Sequence, residues 1–224
     1  MTTTTVQWCE NVTHSRIFSS NIDQLANTIS NLAYVVCPLI QYICYNGRTK
    51  WFPFTSNIVL IGVGVSSTLF HSQNTFSSQL ADELGMSLLA YTYLQITNRK
   101  YNNNLTLIKW KKLYPYIVSS SLILYICIKW YPLFVTTFLF QLSIPIYDTL
   151  FHLHKKNHNY YFLYGAMFSI TVTKGCWIWE RYLYETNRCP TNMFIPLFYL
   201  HSFWHIGTAL SHTLFLQHLI EEDI

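Results

Sequence analysis

The chain has 224 residues, of which 51% are hydrophobic, 17% aromatic and only 11% charged, with a net charge of +4. Charge this sparse, against roughly 25% in an average soluble domain, argues against an ordinary soluble enzyme and for a membrane protein. The Lys and Arg residues sit in short stretches between apolar segments rather than on one face, which leaves no basis for nucleic-acid binding.

Residues 1–21 contain no apolar run of the kind a cleavable signal needs, so the first apolar span is expected to insert the chain. Seven spans follow, each near the length required to cross about 30 Å of hydrocarbon as a helix. They cover 24–45, 53–71, 79–97, 114–129, 132–152, 160–179 and 194–218. Pro115 suits the start of the fourth. Only 129–131 separates the fourth from the fifth, and Pro132 suits the first turn of the fifth, so a tight hairpin is expected there. The sequence thus predicts an all-α membrane protein. It has a lumenal N-terminal segment (1–23), a seven-helix transmembrane domain (24–219) and a short acidic cytosolic tail (220–224).

Orientation follows from counting basic residues in alternate loops. Arg48, Lys50, Arg99, Lys100, Lys109, Lys111, Lys112, Lys155 and Lys156 fall on one side. Arg16, Lys129, Arg181 and Arg188 fall on the other, and Lys174 lies within a span. The N-terminus is therefore expected on the lumenal or extracellular side. Cys9 and Cys189 both fall there, where a disulfide persists, and a bridge between them is expected.

The same topology gathers ionisable residues at the lumenal ends of three spans, where by default they suggest a functional site. His71 ends the second span, Asp82 opens the third, and His201 and His205 open the seventh. A four-residue spacing stacks His201 over His205 on one helix face. Three imidazoles from two helices make a zinc site with a position left open, the catalytic rather than the structural arrangement. Zinc would supply hydroxide near neutral pH and polarise a carbonyl. Asp82 is then either a general base or a partner that orients a histidine ring, although, like its neighbour Glu83, it also reads as a charge favoured at a helix N-terminus. Ser67, one turn before His71, either donates to an oxyanion or merely bonds back to a helix carbonyl. The expected chemistry is hydrolysis of an acyl bond in a lipid that already resides in the bilayer.

The segments that carry these residues resemble the alkaline ceramidase family. Ser67-Thr-Leu-Phe-His71 resembles its SxxxH signature, Gln79-Leu-Ala-Asp82-Glu-Leu-Gly-Met86 its QLxDELxM, and His201-Ser-Phe-Trp-His205 its HxxWH. Trp8-Cys9-Glu10 is similar to its DWCE opening, 27–32 to its WNTxSNL, and Trp177-Ile-Trp-Glu180 stands where the family has WNxD. The matches run in order over nearly the whole chain. The resemblance implies a seven-helix intramembrane zinc amidase that cleaves ceramide to a sphingoid base and a fatty acid. Zinc would sit on His71, His201 and His205, with Ser67 and Asp82 in the catalytic shell. A monomer in the endoplasmic reticulum or Golgi membrane is expected.

The family's N-terminal calcium site is only partly kept. Gln7 replaces the opening aspartate, Gln24 stands where a later glutamate would be, and the segment between is longer by about three residues. The Trp8 carbonyl, Glu10, Asn11 and Asp23 remain as a reduced set, and exchanging two carboxylates for amides is expected to weaken calcium sharply. Other outcomes stay open on the sequence: a receptor or ester hydrolase of the same superfamily, or a non-catalytic homologue that keeps the metal as a staple.

Overall fold

The computed structural model describes residues 4–12, 22–44, 51–100, 105–153, 160–192 and 194–221. Among these residues the chain is all-helical. In order the helices are α1 (Leu25–Ser30), α2 (Ala33–Cys44), α3 (Trp51–Gln73), α4 (Phe76–Lys100), α5 (Leu105–Ile128), α6 (Tyr131–Leu153), α7 (Tyr161–Glu185) and α8 (Leu200–Glu221). A short 3-10 turn, Pro196–Tyr199, leads into α8. The last three residues of the acidic tail lie outside the described residues.

Local chemistry sets the reversals that bring the site together. After α3, Asn74 takes a left-handed conformation (φ 48°) and its N–H returns to the Phe70 carbonyl at 2.8 Å. Thr75 then caps α4. Its hydroxyl accepts the Ser78 amide and the Ser78 hydroxyl accepts the Thr75 amide, each at 3.3 Å, a reciprocal capping box. This hairpin leaves His71 in the last turn of α3 and puts Asp82 and Glu83 in the second turn of α4. The hairpin expected between α5 and α6 is present, with Lys129 and Trp130 between the helices and Lys129 left-handed (φ 54°). At the end of α7, Asn187 is left-handed and the Arg188 amide reaches back to the Leu183 carbonyl at 2.8 Å, which stops the helix and turns the chain toward Cys189.

Two sequence expectations need correction. The span 24–45 is not one continuous helix: residues 31 and 32 interrupt it, dividing α1 from α2. The Asn27 carbonyl is engaged by the Ser30 hydroxyl at 2.9 Å and by His205 Nδ1 at 3.1 Å. Polar side chains that offer the backbone such partners compete with the helical ladder. Pro115 does not open the fourth helix either. The helix begins at Leu105 and runs through the proline, because the lysine-rich stretch before it consists largely of good helix formers.

The most extensive packing is between α7 and α8, followed by α3 and α4. Gly207 allows the first: a Cβ there would meet Thr173 Cγ2 at 1.9 Å. The Ser169 hydroxyl donates to the Gly207 carbonyl and the Ser211 hydroxyl to the Ala166 carbonyl, both at 2.9 Å. Small residues that permit close approach, with hydroxyls bonding across, are how helices associate without a hydrophobic drive between them. A buried polar chain links α4, α8, α3 and α2. Tyr93 donates to His212 Nδ1 (2.6 Å), His212 Nε2 to Asn57 (3.0 Å), and Asn57 to Gln41 (3.0 Å).

Two stretches, Phe54–Gln73 and Tyr131–Leu150, are each long and apolar enough to cross a membrane. The outer surface carries large apolar side chains on most helices, among them Ile43, Tyr116, Tyr147 and Phe168, each 68–74% exposed. The expected Cys9–Cys189 bridge is formed and ties the N-terminal segment to the loop before α8.

Gly207→Ala should therefore force α7 and α8 apart and destabilise the protein by about 1–3 kcal/mol. A fluorescence melt of the detergent-solubilised protein should show this as a lower midpoint, partly recovered when Thr173→Ala is added. Equal melts for wild type and Gly207→Ala would contradict the packing described.

Candidate metal centre

His71 comes from the end of α3, and His201 and His205 from the first two turns of α8. All three are buried, with 1%, 4% and 2% of their surface exposed. Their ring centroids form a nearly equilateral triangle of 5.0, 4.9 and 4.7 Å, and one nitrogen of each lies within 4.8 Å of the others.

The second nitrogen of each ring shows what the triangle can hold. His71 Nδ1 is 2.7 Å from the Gln24 side-chain oxygen, and His205 Nδ1 is 3.1 Å from the Asn27 carbonyl. An amide oxygen only accepts, so in both rings Nδ1 carries the proton and Nε2 keeps its lone pair. His201 Nδ1 lies 3.7 Å from the buried Glu180 carboxylate, whose other oxygen accepts the Cys9 amide at 3.2 Å. Metal-binding histidines are oriented in this way by acceptors behind them. Three such rings on two helices fit a borderline metal such as Zn²⁺ with a position to spare.

The structure brings Ser67 and Asp82 to the same place. Ser67 is buried one turn before His71, with its hydroxyl beside the Asp82 carboxylate. Both line one cavity of about 110 Å³ with the three histidines. Asp82 is not among the groups that hold the Nδ1 atoms of His71 and His205. The N-terminal segment closes over the cavity. Trp8, 1% exposed, lies 3.8 Å from the His201 ring centroid to centroid, and the Arg181 guanidinium donates to the Gln7 carbonyl at 2.7 Å.

The residues expected as a reduced calcium set are otherwise engaged. The Asn11 side-chain oxygen accepts the Trp8 amide (2.9 Å) while the Trp8 carbonyl accepts the Asn11 amide (3.1 Å). Glu10 uses both carboxylate oxygens to accept the Ala26 and Asn27 amides at 2.6 and 3.0 Å, and so caps α1 from a distance. Burial pushes its carboxyl above the usual range, and the two amides oppose that shift. Asp23 is exposed. Calcium takes six to eight oxygens. One buried carboxylate already bonded to two amides fits a helix cap and does not fit a calcium cage.

Sequence reasoning missed several of these groups. Gln24 and Asn27 bond to histidines far along the chain, and no spacing rule links such positions. Glu83 reads from sequence as a charge at a helix start, but it is buried, with one oxygen accepting from Gln79 at 2.8 Å and Tyr125 at 3.0 Å. Lys174 sits in the cavity wall with its ammonium 3.5 Å above the Trp177 ring. A lone lysine inside an apolar span was the available signal.

A family model described as Ceramidase matches residues 1–221. Alkaline ceramidase of Drosophila melanogaster is 27% identical over 214 residues, covering 90% of this chain and 71% of the fly protein. Alkaline ceramidase 1 of Mus musculus is 24% identical over 227 residues, covering 92% of this chain and 75% of the mouse protein. This chain is thus similar to most, not all, of each relative.

If Gln24 orients His71, Gln24→Leu should weaken Zn²⁺ binding about 10–100-fold in competition with a chromophoric chelator. Gln24→Glu, which keeps an acceptor, should retain most of the affinity. Unchanged binding in Gln24→Leu would show that the hydrogen bond does not serve the metal.

Proposed function

The chain belongs to the ceramidase family, and from that premise we propose that it hydrolyses the amide of ceramide inside the membrane, releasing a sphingoid base and a free fatty acid. The observation that carries this reading is the convergence of three buried imidazoles, two with an acceptor bonded at Nδ1 and the third with the Glu180 carboxylate 3.7 Å from its Nδ1, in a cavity shared with Ser67 and Asp82.

His71, His201 and His205 would hold Zn²⁺, which when bound supplies an acidified water and a Lewis acid for the scissile carbonyl. Asp82 takes a proton from the attacking water and returns it to the departing nitrogen, which leaves as an amine while the acyl half leaves as a carboxylic acid; the acid then gives its proton to the amine, and the products are a carboxylate and an ammonium. Ser67, beside Asp82 in the same cavity, is the hydroxyl donor available to the oxygen that gains charge as the carbonyl is attacked. A second cavity of about 120 Å³ adjoins the first, and Met86, Phe138, Leu142 and Trp204 line both. Its largely apolar walls suit the acyl chain, and the Tyr93–His212 pair lies in its lining.

The apolar outer surface supports seven membrane crossings. The distribution of Lys and Arg supports a lumenal N-terminus, so that water reaches the histidines from the lumen while ceramide enters laterally from lipid. An endoplasmic reticulum or Golgi membrane suits that arrangement. The hydrogen bonds at Glu10, Asn11 and Gln24 support a start of the chain that is held without calcium.

Purified protein given a mixed panel of ceramides and acyl esters should release sphingoid base, and EGTA should leave the rate unchanged. His201→Ala should fold and lose activity. Asp82→Asn should lose at least about 100-fold in kcat. Release of acid from esters with no cleavage of ceramide would replace this reading with that of a lipid esterase.

A further inference from the structure

Glu83 is the buried group for which the chemistry above has no use. It follows Asp82 on α4, is only 3% exposed and lines the cavity that holds the histidines. Its Oε1 accepts two hydrogen bonds, from Gln79 Nε2 at 2.8 Å and from the Tyr125 hydroxyl at 3.0 Å. These donors are themselves fixed. Gln79 bonds Tyr125 (2.9 Å), and Thr5 of the N-terminal segment donates its amide to the Gln79 side-chain oxygen (2.8 Å) and lies 3.0 Å from the Tyr125 hydroxyl. Three residues from three parts of the chain thus hold one oxygen of Glu83 in place, Gln79 and Tyr125 directly and Thr5 through them. The other, Oε2, is buried and has no hydrogen-bond partner.

A buried, unpaired carboxylate oxygen is costly, and a protein that keeps one in a rigid frame beside a reaction site has a use for it. A carboxylate has only acceptor capacity there, so the missing partner is a donor. Ser67, Tyr131 and Lys174 also line the cavity, but none of them hydrogen-bonds Oε2, and with the protein's own donors turned elsewhere the open place suits a donor carried by the substrate. A sphingoid head offers hydroxyl groups, and after cleavage an ammonium.

We propose that Glu83 is a specificity-determining residue whose Oε2 accepts a hydrogen bond from the hydroxyl-bearing head of the sphingoid base, and so selects amides of amino alcohols over amides of plain amines. The proposal rests on the ceramide reading given above. It gives the two neighbouring acids separate tasks. Asp82 handles the proton at the scissile bond, and Glu83 fixes where the head lies so that the amide carbonyl meets the histidines.

Glu83→Gln tests this with little change of shape. Gln79 and Tyr125 both donate to the Oε1 position, so the new amide must put its oxygen there and its NH₂ where Oε2 was. An acceptor facing the head becomes a donor while the frame is kept. Binding can be read without turnover from quenching of the cavity tryptophans Trp177 and Trp204. The ligands are a sphingoid base and its analogue lacking both hydroxyls, with steady-state kinetics on the two matching N-acyl lipids. Wild type should prefer the hydroxylated member by about 10–100-fold. Glu83→Gln should lose most of that preference through the hydroxylated ligand alone, with melting and binding of the deoxy analogue near wild type.

A preference unchanged by Glu83→Gln, an equal loss for both ligands, or no preference in wild type would each overturn the proposal. Selective binding without any amide cleavage would instead sink the ceramidase reading and leave Glu83 as a head-recognition residue. Cleavage without selectivity would do the reverse.

Discussion

Everything in this fold answers to one constraint: three neutral imidazoles, buried together, must each keep a lone pair turned to a common centre. A histidine ring left to itself rotates and exchanges protons between its nitrogens, so each needs an acceptor fixed behind it. Gln24 and the Asn27 carbonyl supply two of these, and Glu180 lies behind the third ring. The irregular features of the chain serve that arrangement. The break between α1 and α2 frees the Asn27 carbonyl for His205, and Glu10 holds the start of α1 through its first amides. The Cys9–Cys189 bridge anchors Trp8 against His201, and Gly207 lets α8 come close enough to α7 for Glu180 to approach that ring.

The ligands themselves were legible because helix geometry writes them into spacing. A four-residue interval stacks His201 on His205 and Ser67 under His71, and the two-residue reversal at Asn74 and Thr75 forces Asp82 back toward His71. The α5–α6 hairpin was legible for a similar reason, since the junction is short and Pro132 marks the new start. The positioning residues were not legible. Gln24 meets His71 across 47 positions, and Asn27 meets His205 across 178. The interruption of the first span lies at a polar stretch, Asn27, Thr28, Ser30 and Asn31, but polar residues do not by themselves end a helix, and the cause lies in hydrogen bonds made to α8. Pro115 misled because proline is common at helix starts, yet a surrounding run of helix formers carries the chain through it.

The division of polar groups across the interior fits a reaction on a lipid. Near the histidines lie the carboxylates, the serine and Lys174 over its indole, all in one cavity. Deeper, the lining becomes apolar, and the polar atoms that remain are bonded to each other, as in the run from Tyr93 through His212 and Asn57 to Gln41. A substrate with a polar head and long chains can place each part without bringing water along. Burial that would be costly for an empty polar pocket is then offset by the substrate's own donors.

The chemistry proposed at this site depends on a metal held by the three histidines. Elemental analysis of the purified protein, joined to X-ray absorption at the zinc edge, tests it most directly. One zinc per chain, with nitrogen ligands at about 2.0–2.1 Å, and none in the His71→Ala variant, is the result expected. A metal-free preparation that cleaves ceramide at full rate, or zinc retained after all three histidines are removed, would contradict it.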